Sequence, residues 1–414
     1  MERIEADYLI ETAYDPRAAA EVMAGEQSSG TFVKVPGETA ALKKRSAARL
    51  EKLEVVGEAA AASLPGAGGQ GPIVRAQVTL SWPLANLGPS LPNLMATVAG
   101  NLFELKQFSG LKLLDIRLPP AFATAYEGPR FGIAGTRRLV GVEGRPLIGT
   151  IIKPSVGLGP EETAELVRTL AEAGIDFIKD DELQGDGPAC PFEDRARAVM
   201  RAINEVAERK GRKTMFAFNL TGDLDEMRRR HDLVQALGGT CIMASVNSVG
   251  LAGMIALGRH SALPIHAHRN GWGYLSRHPL LGFSFTAWHK VWRLAGADHI
   301  HVNGLANKFS EEDDSVIASA RACLAPLFPD KPCPIMPVFS SGQTVRQAPS
   351  TWQALGSTDL IFAAGGGIMA HPGGPAAGVA ALREAWEAAV GDVPLADHAR
   401  TRPALAQALE TYKG

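Results

Sequence analysis

From residue 147 onward one pattern returns eight times: a short apolar run with strand character, then a stretch with helical spacing. The runs are LIGTIIKP (147–154), FIKDDE (177–182), TMFAFNL (214–220), TCIMASVN (240–247), PIHAHRN (264–270), HIHVNG (299–304), IMPVFSS (335–341) and LIFAAGGG (360–367). Between them lie patterns such as PEETAELVRTLAEAG (160–174) and FEDRARAVMRAINEVAERKG (192–211), apolar at helical intervals. Parallel strands need a crossover, and a helix is the usual one. Eight such units in about 250 residues predict an α/β fold, a (β/α)8 TIM barrel. A doubly wound sheet uses the same units, but no GxGxxG follows the first strand.

The first ~125 residues lack this rhythm. VRAQVTLSWPL (74–84) and LKLLDIRLP (111–119) have strand character, and AALKKRSAARLEKLEVV (40–56) mixes helix and strand signals. The small-residue stretch AAAASLPGAGGQGP (59–72) suits a loop or hairpin connection. These features predict an N-terminal α+β domain over residues 1–125, a Gly- and Pro-punctuated linker over 126–146, and a barrel with C-terminal helices over 147–414.

A formal charge of −2 provides no polycationic surface, so neither nucleic acid nor an acidic membrane is implied as a partner. No apolar run approaches the ~18–20 residues that span a bilayer. The opening MERIEADYLIETAYDP has no basic-then-apolar leader pattern. Cys190, Cys241, Cys323 and Cys333 form no CxxC pair, which suits a reducing compartment. A cytoplasmic protein is the expectation.

Active sites of barrels sit at the C-terminal ends of the strands. Polar residues collect there in this chain: Lys153, the KDDE run, His266, His268, Arg269, His299, His301, Ser340, Ser341 and Gly365 to Gly367. FIKDDE is thus apolar where it crosses the barrel and charged where it emerges. The strand period of 2 places Lys179 and Asp181 on one side and Asp180 on the other, and Glu182 rejoins the cleft as the strand ends. Asp181 and Glu182 are hard oxygen donors suited to Mg²⁺. A lysine beside them serves as counter-ion or as nucleophile, and a salt-bridged strand end is the plainer alternative.

The glycines at 365–367 expose backbone N–H groups suited to phosphate, or simply make a tight turn before a helix starting near Gly373. FSSG (339–342), one strand earlier, could share that phosphate. On a strand His266 and His268 share a face, as do His299 and His301. With no third soft ligand in view, acid–base work or phosphate contact is favoured over zinc, and one histidine of each pair is expected in the core. Arg269 is a natural anion fork.

Taken in order, these motifs resemble those of the RuBisCO large-subunit superfamily along nearly the whole chain. GRPLIGTIIKPSVGL (144–158) is similar to the family's first barrel strand and its lysine, here Lys153. FIKDDE resembles the strand whose lysine is carbamylated by CO2, which implies Mg²⁺ held by carbamylated Lys179, Asp181 and Glu182. HAHRN (266–270) implies His268 and Arg269 as site residues, and DHIHVNGLANKF (298–309) implies His301 and a mobile-loop lysine, Lys308. Ser340, Gly342, Gly365 and Gly366 fall on the phosphate sites. In the N-terminal domain, GEQSSGTF (25–32) is similar to ESSTGTW of the family and implies Glu26, Thr31 and Phe32, while GNLFEL (100–105) implies Asn101. In the family these complete the barrel site of a neighbouring subunit. The resemblance therefore implies a homodimer or higher assembly with a shared active site.

The chain also departs from the carboxylating members. Ser155 stands where they have a second lysine, and the loop reads NKFSE rather than GKLEG. Phe32 replaces a tryptophan and Ile151 a threonine. It resembles the RuBisCO-like branch instead, whose members act as decarboxylase or transcarboxylase/hydrolase on 3-oxo-isoapionate 4-phosphate, or as enolase or isomerase in methionine salvage. Retained Lys308 and the HRNGWG stretch (268–273) resemble the first group, and the salvage enolases carry a lysine where Asn101 stands. The resemblance implies a Mg²⁺-dependent enzyme acting through an enediolate on a phosphorylated β-keto sugar acid, by decarboxylation or by C–C cleavage to phosphoglycerate and glycolate. The alternative is an enolase or isomerase on a methylthio-ketopentose phosphate, which an apolar wall of Phe32, Phe309 and Trp272 would support. A catalytically silent paralogue is a third possibility, and the intact Lys153, KDDE run and Lys308 oppose it.

Overall fold

The computed structural model describes residues 2–30 and 35–413. Its strands, in chain order, are β1 (Arg3–Thr12), β2 (Arg49–Ala59), β3 (Ile73–Pro83), β4 (Gly110–Arg117), β5 (Leu147–Ile151), β6 (Phe177–Lys179) and β7 (Met215–Asn219). They continue with β8 (Cys241–Ser245), β9 (Ile265–His268), β10 (Leu281–Phe283), β11 (His299–His301), β12 (Met336–Phe339) and β13 (Ile361–Ala363). The chain divides into two compact units: residues up to Glu127 with Gly271–Leu294, and Gly128–Asn270 with the residues from Ala295 on.

The first unit is α+β, built on a sheet of order β10–β4–β1–β3–β2. Its central strand β1 alternates buried Ile4, Ala6, Tyr8 and Ile10 with Glu5, Asp7 and Leu9, which are half-buried. Asp7 accepts from Thr79 of β3 at 2.7 Å and pairs with Arg117 of β4, so cross-strand polar contacts fix the register on that face. On the other, the Tyr8 hydroxyl donates to Val98 O at 2.6 Å. Helix Pro16–Glu26 starts where Asp15 accepts from Ala18 N and proline takes the first turn. The three-residue β10 pairs in parallel with β4, which brings Gly271–Leu294 into this unit, although the expected division ran the barrel through that segment.

The second unit is the barrel. β5, β6, β7, β8, β9, β11, β12 and β13 close in chain order, all neighbours parallel, so each of the eight expected runs contains one barrel strand. Alternate residues of these strands form one buried cluster: Leu147, Phe177, Met215 and Ala217, Cys241 and Met243, Met336 and Val338, Ile361 and Ala363. In a closed barrel that face is the interior. Gly149 lies on it, where a Cβ would approach Phe177 and Ile361 to 3.1 and 3.2 Å, so its bareness makes room for the Phe177 ring. The expected linker includes a helix, Gly132–Val140, and its Thr136 hydroxyl meets His299 Nε2 at 2.7 Å on β11.

Asp180 turns away from the interior, as its parity requires, onto Arg195 of helix Phe192–Lys210. Both are fully buried; Arg195 Nη2 stands 3.3 Å from Asp180 and also donates to Gly185 O, while Nη1 donates to Cys190 O. Asp180 accepts in addition from Asn219 N at 2.9 Å. This pair ties the segment after β6 to its helix. Arg195→Met should cost about 3–5 kcal/mol of stability, because it strands a buried carboxylate. The urea-unfolding midpoint measures it, and an unmoved midpoint would refute the structural role of the pair.

Candidate active site

The interior parity of each strand runs on past its C-terminal end and sets which polar groups face the barrel mouth. Leu147, Gly149 and Ile151 lead to Lys153; Phe177 leads to Lys179 and Asp181; Met336 and Val338 lead to Ser340; Ile361 and Ala363 lead to Gly365. A Cβ on Gly365 would lie 3.8 Å from Lys153 Cε, which places this turn beside the lysine.

Five of the expected residues meet in two groups. Lys153 Nζ donates to Asp181 Oδ2 at 2.5 Å and to Ser155 Oγ at 2.7 Å. Lys179 Nζ donates to Asp180 O at 2.8 Å and lies 3.4 Å from Glu182 Oε2. His268 Nε2 is also 3.4 Å from that oxygen. Asn219 at the end of β7 directs its amide to the carbonyls of Asp181 and Glu182, which fixes the turn that carries both carboxylates.

Electrostatics sort these groups. The Lys179 side chain is only 1% exposed, and burial pushes its amine below the ordinary lysine value, the charges of Glu182 and Asp181 opposing this only in part. Burial likewise opposes charge on Glu182, yet His268 and Lys179 beside it outweigh that and hold its carboxyl well below the usual range. Burial, then the Lys179 charge, pushes His268 down, so within the pair Glu182 carries the charge and the imidazole is neutral.

The other histidines form a chain behind the mouth. His266 and His301 share one proton between Nε2 atoms 2.8 Å apart, and His301 Nδ1 meets Ser340 Oγ at 2.9 Å. Burial holds both imidazoles neutral. His266 and His299 pack against Phe177 at 5.1 and 6.0 Å between ring centres, so one member of each pair is core, as expected.

Arg269, expected as an anion fork, is buried and donates to a carboxylate that the motifs did not single out, Glu311. Asn303 Nδ2 donates to the same oxygen at 2.7 Å, and Asn303 Oδ1 accepts from Ser341. The only sequence sign of Glu311 is the departure of NKFSE from the family loop. Lys308, in that loop, is exposed; its N–H donates to Ser341 O at 3.2 Å and its ammonium lies 5.2 Å from the Phe309 ring centre. Gly342, with φ of 88°, turns the chain beneath it. Gly365 and Gly366 open a short helix, Gly366–Met369, that precedes the one expected near Gly373, which spans Gly374–Val390.

Glu26 and Asn101 belong to the first unit, where both are exposed. The Gln27 amide, turned with its oxygen to Asn101 N (2.8 Å) and its nitrogen to Ala96 O (3.1 Å), joins the segments that carry them. Thr31 and Phe32 lie outside the described residues. Trp272 packs within its own unit on Trp288 and Phe285, at 4.8 and 5.9 Å, and Phe309 is exposed on the loop after β11.

Among the described residues, one group of three histidine and carboxylate side chains has metal-ligand spacing, and it lies outside the mouth: His231, Asp232 and His260. His231 Nε2 accepts from Ala262 N at 3.0 Å, so its proton sits on Nδ1, which faces Asp232 at 2.9 Å. A protonated nitrogen does not ligate, and the cluster is a hydrogen-bonded tie between helices Leu224–Ala236 and Val246–His260. No helix of the described residues is long and apolar enough to cross a membrane.

The family model of the ribulose bisphosphate carboxylase large chain, catalytic domain, matches residues 132–412, and that of the N-terminal domain matches residues 6–122. The chain is 61% identical over 412 residues to a 3-oxo-isoapionate-4-phosphate transcarboxylase/hydrolase from Xanthobacter autotrophicus, with 100% of both chains covered. It is 46% identical over 412 residues to a 3-oxo-isoapionate-4-phosphate decarboxylase from Rhizobium rhizogenes, covering 99% of this chain and 98% of the relative. Among solved structures, a rubisco-like protein from Burkholderia fungorum matches with a TM-score of 0.94 at 49% identity and 100% coverage of both chains.

Proposed function

This chain belongs to the family of the ribulose bisphosphate carboxylase large chain, and we propose that it is an enzyme acting on 3-oxo-isoapionate 4-phosphate by carboxyl transfer followed by hydrolytic C–C cleavage. The observation that carries this reading is the 61% identity, end to end, with a transcarboxylase/hydrolase, against 46% with a decarboxylase.

The mouth residues fit Mg²⁺. Asp181 and Glu182 offer two hard oxygen donors, each already drawing a basic group of the mouth: Lys153 on the first, Lys179 and His268 on the second. Two carboxylates are a sparse site, and Lys179 supplies the third: a buried amine biased toward neutrality adds CO2 and becomes an anionic oxygen donor. Carbamylated Lys179, Asp181 and Glu182 would hold the ion, which when bound polarises adjacent substrate oxygens as a Lewis acid.

The chain's own residues then divide the work. In a β-keto acid the bond to the carboxyl carbon breaks with its electron pair passing toward the ketone, leaving an enediol and CO2. CO2 joins the neighbouring carbon, giving an isomeric β-keto acid. Lys308, on its exposed loop, holds the carboxylate and the transient CO2. Water adds to the new ketone, its proton taken by neutral His268. The C–C bond then breaks, and Lys153 returns a proton to the carbon released, yielding phosphoglycerate and glycolate. Gly342, Gly365 and Gly366 seat the phosphate, with His301 and Ser340 behind them. A homodimer, in which Glu26, Thr31 and Asn101 of one copy complete the mouth of the other, is part of the proposal. The methylthio-ketose alternative is the less favoured reading because the relatives at 61% and 46% identity are named for 3-oxo-isoapionate 4-phosphate.

The test is incubation with 3-oxo-isoapionate 4-phosphate, Mg²⁺ and bicarbonate. Phosphoglycerate and glycolate in equal amounts without net CO2 are expected, with activity lost after chelation by EDTA and restored by Mg²⁺. CO2 and a tetrulose phosphate would assign decarboxylation instead, and surviving substrate would overturn the keto-acid reading.

A further inference from the structure

The barrel mouth has two places suited to an anion: the glycine turn after β13 and the Arg269 guanidinium after β9. In barrel order β11 and β12 stand between those strands, so the two places lie apart around the mouth. A substrate phosphorylated at both ends would set one phosphate on each. The Arg269 place, however, already contains a carboxylate. Glu311 Oε2 accepts from Arg269 and, at 2.7 Å, from Asn303 Nδ2, while Oε1 accepts from Ser315 Oγ at 2.9 Å. Both oxygens are therefore held, and the side chain is only 15% exposed. The backbone is held too, because Asn307 Nδ2 donates to Glu311 O at 3.0 Å.

We infer that Glu311 is a specificity residue that fills the Arg269 anion place with a protein carboxylate and so restricts the mouth to substrates bearing one phosphate. A second phosphate would meet a like charge fixed by three donors and would have to displace it. The inference rests on the mouth being the site for a phosphorylated ligand, as proposed above.

Isothermal titration calorimetry of the full chain, with Mg²⁺ and bicarbonate, tests it using ribulose 5-phosphate and ribulose 1,5-bisphosphate as probes. The unaltered protein should bind the bisphosphate no more tightly than the monophosphate. Glu311→Gln should strengthen bisphosphate binding roughly tenfold, the worth of a charge-assisted contact, and leave the monophosphate unchanged. The double variant Glu311→Gln/Arg269→Gln should lose that gain. A tenfold bisphosphate preference in the unaltered protein, or an unchanged ratio in folded Glu311→Gln, would overturn the inference; should that variant fail to fold, the unaltered protein's ratio decides. The readout is binding, so failure to turn over 3-oxo-isoapionate 4-phosphate would strike the proposed reaction and leave this ratio to be judged separately.

Discussion

Lys179→Met is expected to lower turnover of 3-oxo-isoapionate 4-phosphate by roughly a thousandfold or more, the scale on which a fixed charge at a reacting centre acts. Methionine has similar volume and flexibility, so the packing change alone should cost less than about 1.5 kcal/mol and the barrel should stay folded. What is lost is chemistry. The lysine amine sits on the interior side of β6, above Phe177, bonded to Asp180 O and facing Glu182. A thioether forms no carbamate and leaves Asp181 and Glu182 without the third anionic donor proposed for the ion. Steady-state turnover with Mg²⁺ and bicarbonate, alongside thermal unfolding, measures the effect. Carbon-13 bicarbonate gives a second readout, since a lysine carbamate resonance should be present in the unaltered protein and missing from the variant. A folded variant within tenfold of normal turnover would sink the carbamate assignment.

The barrel was legible because parallel strands buried on both faces read as short apolar runs, and because charge at their C-terminal ends has few structural uses. The same parity that buries Phe177 predicted that Lys179 and Asp181 would share a side and that Asp180 would not. β1 was not read as a strand: Ile4, Ala6, Tyr8 and Ile10 alternate over the opening residues, but the acidic residues between them mask the pattern. Other features had no local signal. β10 is three residues long and exists through pairing with β4, far away in sequence. Helix Gly132–Val140 hides among glycines, one of them at φ of 53°, that otherwise signal a linker. Glu311 acquires its role only when the loop after β11 folds back over the end of β9 and lays it on Arg269.

Lys308→Met is expected to change the products as much as the rate. Carboxyl transfer needs CO2 to stay in place between leaving one carbon and joining the next, whereas decarboxylation needs only that it leave. Lys308 is well placed to retain it. Its backbone is pinned to Ser341 O at the end of β12, and its side chain is exposed, free of any carboxylate among its described partners. Arg269, the neighbouring cation, is already committed to Glu311. With Lys308 gone, CO2 should escape and the enediol should be protonated instead of recarboxylated. Phosphoglycerate and glycolate formation should fall roughly a hundredfold or more, the scale for removing one stabilising donor, while the first bond cleavage slows less. Substrate labelled in its carboxyl carbon separates these fates, because transfer carries the label into phosphoglycerate and escape carries it into CO2. A shift of label to CO2, with a tetrulose phosphate accumulating, would mean that one lysine on the loop after β11 distinguishes a transcarboxylase/hydrolase from a decarboxylase on the same barrel. An unchanged division of label would place the retention of CO2 elsewhere in the mouth and leave Lys308 as a substrate-binding cation only.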